Sequence, residues 1–382
     1  MTNLQALLTT YVDAGTVPGA VALVARGDGV EVGTAGFSDT GGTSPMARDS
    51  IFRIASITKP VTAAAVMMLV DEGRVSLDEP VGHRLPELAS LSVVRTPDSP
   101  VDDVVPAARA ITVRDLLTFR AGYGFPSDFS LPAVGLLFSE LRQGPSQSEA
   151  VPAPDEWVAT LSRIPLLHQP GDAWLYNTCS DVLGVLIARV SGRSLPEFLA
   201  ERLFEPLGMT DTGFEVPPAE RHRLADFYQP TPDGLEPVAS ADGEWGSLPA
   251  FPSGAGGLVS TADDWYAFAR MLLAEGAAGG RQLLSPQSVR LMTTDHLTPE
   301  QRAASTLFLE GQGWGFGGSV DVTDVDPWNV PGRYGWVGGF GTAAHIIPST
   351  GTVTILLSQV AMTAPTPPPL MRDFWRYAAA GA

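Results

Sequence analysis

The stretch IFRIASITKPVTA, residues 51–63, decides the fold, and its centre places Ser56 three residues before Lys59. Lys59 is the single lysine of the chain, because every other cation among its 24 lysines and arginines is an arginine. Arginine keeps its proton inside a protein, whereas a buried or crowded lysine can lose it. A lysine used only here indicates an amine that must be deprotonated, and Ser56 is its natural proton donor. The pair predicts a nucleophile and its base, although S-x-x-K alone is a weak motif and a stray surface lysine is the alternative.

The residues after Lys59 predict a buried helix. Residues 61–70 are apolar almost all round, and Gly73 closes the segment. Pro60 is tolerated only in the first turn of a helix, so Ser56 is expected at or beside the helix N-terminus. Ser56 and Lys59 then share one face of the chain. The free N–H groups and the dipole at this end favour the negative charge of an oxyanion.

Composition limits the classes of function. The chain has 382 residues, 44% of them hydrophobic and 17% charged, with a net charge of −18. Such a charge argues against nucleic acid or an anionic membrane as a partner. No apolar run is long enough to span a membrane, and the first residues show no signal-peptide pattern, so a cytoplasmic protein is expected. A lone cysteine and five scattered histidines argue against a disulfide or a metal site, and we expect no cofactor. The oligomeric state is left open.

The order of the predicted elements indicates an α+β fold. Strand-like runs at residues 19–25 and 30–36, joined by an Asp-Gly turn, lie near one end of the chain. Three more lie near the other end, at residues 334–338, 342–347 and 352–358. The segment between is mostly helical. This order predicts an antiparallel sheet built from both chain ends and flanked by helices, with an inserted mainly helical domain.

Two boundaries divide the chain in this interpretation. Residues 1–80 and 216–382 are expected to form a discontinuous α/β domain, and residues 81–215 the inserted helical domain. Within the latter, helices are predicted over 180–191 and 195–207. A long Pro/Gly-rich loop, residues 122–154, is expected to shape a pocket, and residues 216–253 are expected to be an extended loop.

Four stretches carry a family resemblance. They are residues 51–63, the helix start at 111–118, the tyrosine-containing run 176–184 and the glycine-rich run 253–264. Together they resemble the serine β-lactamase-like superfamily, and most of all its family VIII carboxylesterases, which are similar to class C β-lactamases. The resemblance implies that Ser56 is the nucleophile, that Lys59 is its base and that Tyr176 completes the proton relay. A half-buried core tyrosine is the alternative for Tyr176.

A strand at residues 334–342, YGWVGGFGT, resembles the third motif of this superfamily. Trp336 stands where β-lactamases place the lysine that binds a substrate carboxylate, and Val337 departs from the W-G-G common in the esterases. A tryptophan offers apolar area without charge, which favours a neutral ester. The resemblance implies substrate contacts from Trp336, Val337 and Gly338, and an oxyanion hole made by the N–H groups of Ser56 and Gly339. Ordinary strand or bulge geometry is the alternative for the glycines.

Two motifs depart from the family pattern. The tyrosine motif normally reads Tyr-Ser or Tyr-x-Asn, whereas here Asn177 comes one place early and Thr178 holds the third position; both are candidate substrate contacts. The usual His-Thr-Ser-Gly is replaced by residues 119–122, FRAG, so this loop is reshaped. Cys179 is expected to be a small packed residue and not a second nucleophile.

The preferred hypothesis is a serine carboxylesterase that hydrolyses small to medium neutral esters, or transfers their acyl group, through a Ser56 acyl-enzyme. A β-lactamase or D-amino-acid peptidase is the second hypothesis, and Trp336 argues against it. A binding or sensor protein that is acylated once without turnover is the third. The α/β-hydrolase route is excluded because the chain has no G-x-S-x-G. The acyl and alcohol groups are left open.

Overall fold

The computed structural model describes residues 3–143, 151–239 and 244–380. Its strands within these ranges are β1 (Gly19–Arg26), β2 (Gly29–Gly36), β3 (Phe52–Arg53), β4 (Ser92–Val94), β5 (Val104–Pro106), β6 (Phe227–Thr231), β7 (Gly234–Ala239), β8 (Val259–Ser260), β9 (Ala277–Ala278), β10 (Arg281–Gln282), β11 (Gly313–Trp314), β12 (Ser319–Val320), β13 (Tyr334–Gly338), β14 (Thr342–Ile347) and β15 (Thr352–Ser358). The main sheet has seven antiparallel strands in the order β11-β12-β13-β14-β15-β1-β2. The predicted sheet from both chain ends is confirmed.

Helices cover both faces of this sheet. The helices of the described ranges are α1 (Leu4–Asp13), α2 (Lys59–Asp71), α3 (Val113–Leu117), α4 (Pro132–Ser139), α5 (Pro154–Leu161), α6 (Thr178–Ser191), α7 (Leu195–Leu199), α8 (Glu205–Leu207), α9 (Ala262–Leu273), α10 (Pro286–Met292), α11 (Pro299–Ala304), α12 (Thr306–Leu309) and α13 (Pro369–Ala380). No helix in the described ranges is long and apolar enough to cross a bilayer. The division into a discontinuous α/β domain and an inserted helical domain stays a prediction.

Strand β1 is buried on both of its faces. It pairs with β15 on one edge and with β2 on the other. Ala20, Ala22 and Val24 point to a small core shared with α1 and α13. The alternate residues Val21 and Leu23 point to the large core that also contains α2 and α6. A strand with two buried faces needs a continuous apolar sequence, which is what this segment has.

Helix α2 is the buried helix that the sequence predicts. Residues 59–69 are all buried, and Pro60 lies in the first turn, where its missing N–H costs nothing. A 3₁₀ turn, Ala55–Thr58, precedes α2 and carries Ser56. The serine is therefore held at the entrance to a rigid helix, as expected from the position of Pro60.

The turn before α2 is held from two sides. Ala55 has a φ of 47°, a left-handed conformation that alanine seldom adopts. The preceding residue, Ile54, donates its N–H to the Leu258 carbonyl at 3.0 Å. Its carbonyl accepts from the Thr342 hydroxyl at 2.8 Å. These long-range bonds keep the backbone in a conformation that the local sequence does not favour.

Several predicted boundaries are corrected. Residues 216–253 do not form only an extended loop, because β6 and β7 pair there as a hairpin. The helix predicted over 195–207 is α7 and α8 joined by a π-helical turn, Ala200–Phe204, and the helix predicted from 180 begins at Thr178. The predicted loop 122–154 contains α4, and its residues 144–150 lie outside the described residues.

Thr342→Val tests the support of the turn. The substitution keeps the side-chain shape but leaves the buried Ile54 carbonyl without its hydroxyl donor, so the free energy of unfolding should fall by about 1–2 kcal/mol. Thr354→Val is the matched control, because Thr354 is also buried in the sheet and its hydroxyl has no partner among the described residues. Urea denaturation of both variants measures the difference. Equal stability of the two variants would contradict the proposed support.

Candidate active site

Ser56 faces a cavity of about 380 Å³ whose lining is mainly apolar. Besides Ser56, the polar and charged residues of the lining are Arg142, Gln143, Tyr176, Asn177, Asp181, Ser253 and Thr363. Much of the remaining wall is aromatic and is formed by Phe125, Phe129, Phe138, Trp157, Phe251 and Phe308. The half-buried serine hydroxyl therefore meets an apolar space large enough for a small organic molecule.

Lys59 is fully buried and contacts Ser56 directly. Its Nζ lies 2.8 Å from the Ser56 Oγ and donates to the Ala255 carbonyl at 2.6 Å. Burial lowers the pKa of Lys59 from 10.5 to about 7, and the nearby Asp181 carboxylate opposes this shift. An amine that titrates near neutrality can exist in its free-base form while it contacts the serine hydroxyl.

Asp181 is the carboxylate that the sequence analysis did not single out. It lies in the first turn of α6, is buried, and accepts hydrogen bonds from the Ser253 hydroxyl at 2.6 Å and the Ala255 N–H at 3.1 Å. Gln143 donates to its second oxygen at 3.2 Å. Burial raises the pKa of Asp181, and the hydrogen bond from Ser253 and the charge of Lys59 oppose this rise.

Tyr176 completes a polar chain with Ser56 and Trp336. Its hydroxyl accepts a hydrogen bond from the Trp336 indole N–H at 2.7 Å and is also hydrogen-bonded to Ser56. The Lys59 Nζ lies 4.7 Å from the centre of the tyrosine ring. Burial raises the pKa of Tyr176 to about 12, so the phenol stays protonated at neutral pH. Trp336 thus orients the tyrosine as well as lining the cavity.

Strand β13 ends beside the nucleophile turn. A side chain at Gly338 would collide with the Thr342 hydroxyl and lie 2.6 Å from the Ile54 carbonyl, so only glycine fits there. Gly339 follows, and it lines the cavity together with Val337. In the described part of the chain, neither the Ser56 N–H nor the Gly339 N–H has an acceptor. Two unpaired N–H groups at the cavity wall can bind a negatively charged oxygen.

Asn177 and Thr178 take different positions. Asn177 lines the cavity and has φ 81° and ψ −70°, and the Thr178 N–H donates to the Tyr176 carbonyl at 3.2 Å. This is a γ-turn, a strained conformation of the kind found at functional sites. Thr178 is buried and does not line the cavity, and its hydroxyl donates to the Gln143 side chain at 2.6 Å.

Sequence reasoning missed Asp181, Gln143 and Ala255. A signal for Asp181 existed, since a carboxylate in the first turn of a strongly apolar helix needs a buried partner. Gln143 and the Ala255 carbonyl gave no such signal, because they contact the site only through tertiary folding. Cys179 is packed away from the cavity, and burial raises the pKa of its thiol to about 12. No group of three or more metal-ligating side chains is arranged for a metal in the described ranges.

Comparison with known sequences places this geometry in a family. A family model described as Beta-lactamase matches residues 4–374. Protein Rv1367c of Mycobacterium tuberculosis is 40% identical over 93% of this chain and 89% of its own length. Lovastatin esterase of Penicillium rubens is 30% identical over 86% of this chain and 85% of its own length. Esterase EstB of Burkholderia gladioli is 30% identical over 90% of this chain and 86% of its own length.

Solved structures share the fold. EstCE1, described as a hydrolase with promiscuous acyltransferase activity, superimposes with a TM-score of 0.80 at 24% identity and covers 97% of both chains. The unliganded simvastatin synthase LovD from Aspergillus terreus gives a TM-score of 0.78 at 24% identity over 98% of this chain and 95% of its own. The β-lactamase-like fold predicted from the sequence is confirmed. The chain belongs to the β-lactamase family, and esterases among its relatives confirm the resemblance drawn from the four sequence motifs.

Proposed function

We propose that the protein is a serine carboxylesterase that forms an acyl-enzyme at Ser56. The observation that carries this proposal is the 2.8 Å contact between the Ser56 Oγ and the fully buried Lys59 Nζ. A serine hydroxyl is a weak nucleophile until a base removes its proton. The two relatives named as esterases support an ester as the substrate.

Acylation begins with proton transfer from Ser56 to the neutral Lys59. The Ser56 oxygen attacks the ester carbonyl carbon, and the carbonyl oxygen becomes an oxyanion. The N–H groups of Ser56 and Gly339 are suited to hold this oxyanion, since both are without acceptors in the described residues. The bond to the leaving oxygen then breaks, and a proton passes to that oxygen from Lys59 through Tyr176.

Deacylation repeats these steps with a new nucleophile. Water, or an alcohol or amine in a transfer reaction, gives its proton to the Lys59–Tyr176 pair and attacks the acyl carbonyl. The bond from the carbonyl carbon to the Ser56 oxygen breaks, and the serine regains its proton. The apolar cavity favours uncharged acyl and alcohol portions around the scissile bond.

The roles of the remaining candidate residues follow from their positions. Trp336 orients the Tyr176 hydroxyl, and Val337 and Asn177 contribute cavity wall. Gly338 allows β13 to approach the nucleophile turn, and Thr178 acts through Gln143 rather than on the substrate. A cytoplasmic location and the absence of nucleic-acid or membrane partners stay predictions from the sequence.

Ser56→Ala should abolish turnover of 4-nitrophenyl butyrate, with kcat/KM lower by about 10⁴-fold or more because no acyl-enzyme can form. Release of nitrophenol measures the rate, and intact-protein mass spectrometry of the unaltered enzyme detects the acyl adduct. Ser90→Ala, at an exposed serine, is the control and should keep full activity. Appreciable turnover by Ser56→Ala would show that another group is the nucleophile.

Lys59→Arg should lower kcat/KM by about 10²–10⁴-fold, because arginine keeps the positive charge but cannot act as a base. The same nitrophenol assay measures this, and circular dichroism checks that the buried guanidinium is accommodated. If the folded variant kept the activity of the parent, a charge at this position would be sufficient and the general-base role would be wrong.

The pH dependence of kcat/KM should follow Lys59. The amine must be neutral to accept the serine proton. As the pH rises through the pKa of Lys59, about 7, kcat/KM should therefore increase, and at lower pH the protonated amine should leave the enzyme inactive. Asp181→Asn removes the negative charge that opposes the lowered pKa, so the midpoint of the acidic limb should move to lower pH. Asp264→Asn is the control, since this buried carboxylate bonds instead to Thr212 and the Asp211 N–H. An unmoved midpoint in Asp181→Asn would exclude the coupling.

A further inference from the structure

Arg142 is the exposed charge of the cavity. Among the described lining residues only Arg142 and Asp181 carry a full charge, and Asp181 is buried and hydrogen-bonded. Arg142 is exposed to solvent and lines the cavity, whose wall is mainly apolar. The catalytic steps proposed above do not use this cation.

The backbone at Arg142 is held in an uncommon conformation. Arg142 has a φ of 50°, a left-handed conformation that is uncommon for a residue with a long side chain. Its two neighbours are anchored in the interior: Leu141 is fully buried, and Gln143 bonds to Asp181 and Thr178. Both flanks are fixed in the interior, and Arg142 between them is exposed to solvent and lines the cavity.

Arg142 also differs from most other arginines in its partners. Arg189 and Arg223 each contact at least two carboxylates, whereas Arg142 forms no ion pair or hydrogen bond within the described ranges. In a chain with a net charge of −18, the general field repels anions, so an unpaired cation at the cavity gives it a local attraction for a negatively charged group.

We propose that Arg142 binds a carboxylate on the substrate, so that the preferred esters carry a carboxylate at a distance from the scissile bond. The planar guanidinium matches a carboxylate with two parallel hydrogen bonds. A single cation balances one negative charge, which favours a carboxylate over a doubly charged phosphate. This inference rests on the proposed esterase function. The substrate would then have a charged end near Arg142, while its ester group lies in the uncharged surroundings of Trp336.

The test compares two series of 4-nitrophenyl esters whose acyl chains end in a carboxylate or in the uncharged carboxamide, with four to eight carbons. The parent enzyme should prefer the carboxylate by about five- to tenfold in kcat/KM at the best chain length. Added sodium chloride should weaken the preference by screening. Arg142→Gln should bring the ratio of the two kcat/KM values close to one, and Arg142→Lys should restore part of it. Arg281→Gln, at an exposed arginine of β10, controls for the change in net charge and should keep the parent ratio.

The outcomes separate the inference from the function on which it rests. Turnover of neither series, by an enzyme that is folded, would overturn the esterase function itself. Equal turnover of both series by the parent enzyme would overturn the role of Arg142 and leave the esterase function in place. A lower melting temperature of Arg142→Gln with an unchanged ratio would assign Arg142 to the stability of the C-terminal end of α4, which also overturns the inference.

Discussion

The burial of the Lys59 amine is the constraint on which the rest of the site depends. A cation removed from water is destabilised by several kcal/mol unless it is paired or loses its proton. The fold meets this constraint in both ways: α2 excludes water, which lowers the pKa, while the Ala255 carbonyl and the nearby Asp181 carboxylate accommodate the protonated form. Because both protonation states are tolerated, one amine can receive a proton and later return it.

The glycine-rich run 253–257 has its composition because it must approach two helices at once. The Gly254 carbonyl accepts from the Thr62 hydroxyl of α2 at 2.7 Å. A side chain on Gly254 would lie 2.5 Å from the Ser180 carbonyl of α6. Only a residue without a Cβ lets the chain pass through this gap and place the next carbonyl, that of Ala255, on the lysine amine.

The sequence predicts the features that depend on residues close to one another along the chain. Ser56 and Lys59 lie one turn apart, and the continuous apolar run of β1 indicates a strand buried on both faces, so both features could be read without a structure. The bond from Gln143 to Asp181 joins residues 38 positions apart, and that from Ala255 to Asp181 joins residues 74 positions apart. No periodicity encodes such contacts. The β6–β7 hairpin escaped notice because its strands contain prolines, which propensity assigns to loops.

A chain with one lysine, and that lysine without solvent exposure, has an unusual surface chemistry. Amine-reactive labels and lysine cross-linkers meet no side-chain amine on the folded molecule, and among its lysine and arginine side chains only guanidinium groups reach the surface. Lysine acylation therefore reports that a reagent has reached the buried amine of Lys59. The buried amine is at once the chemical centre of the site and an internal marker of whether the fold around it is closed.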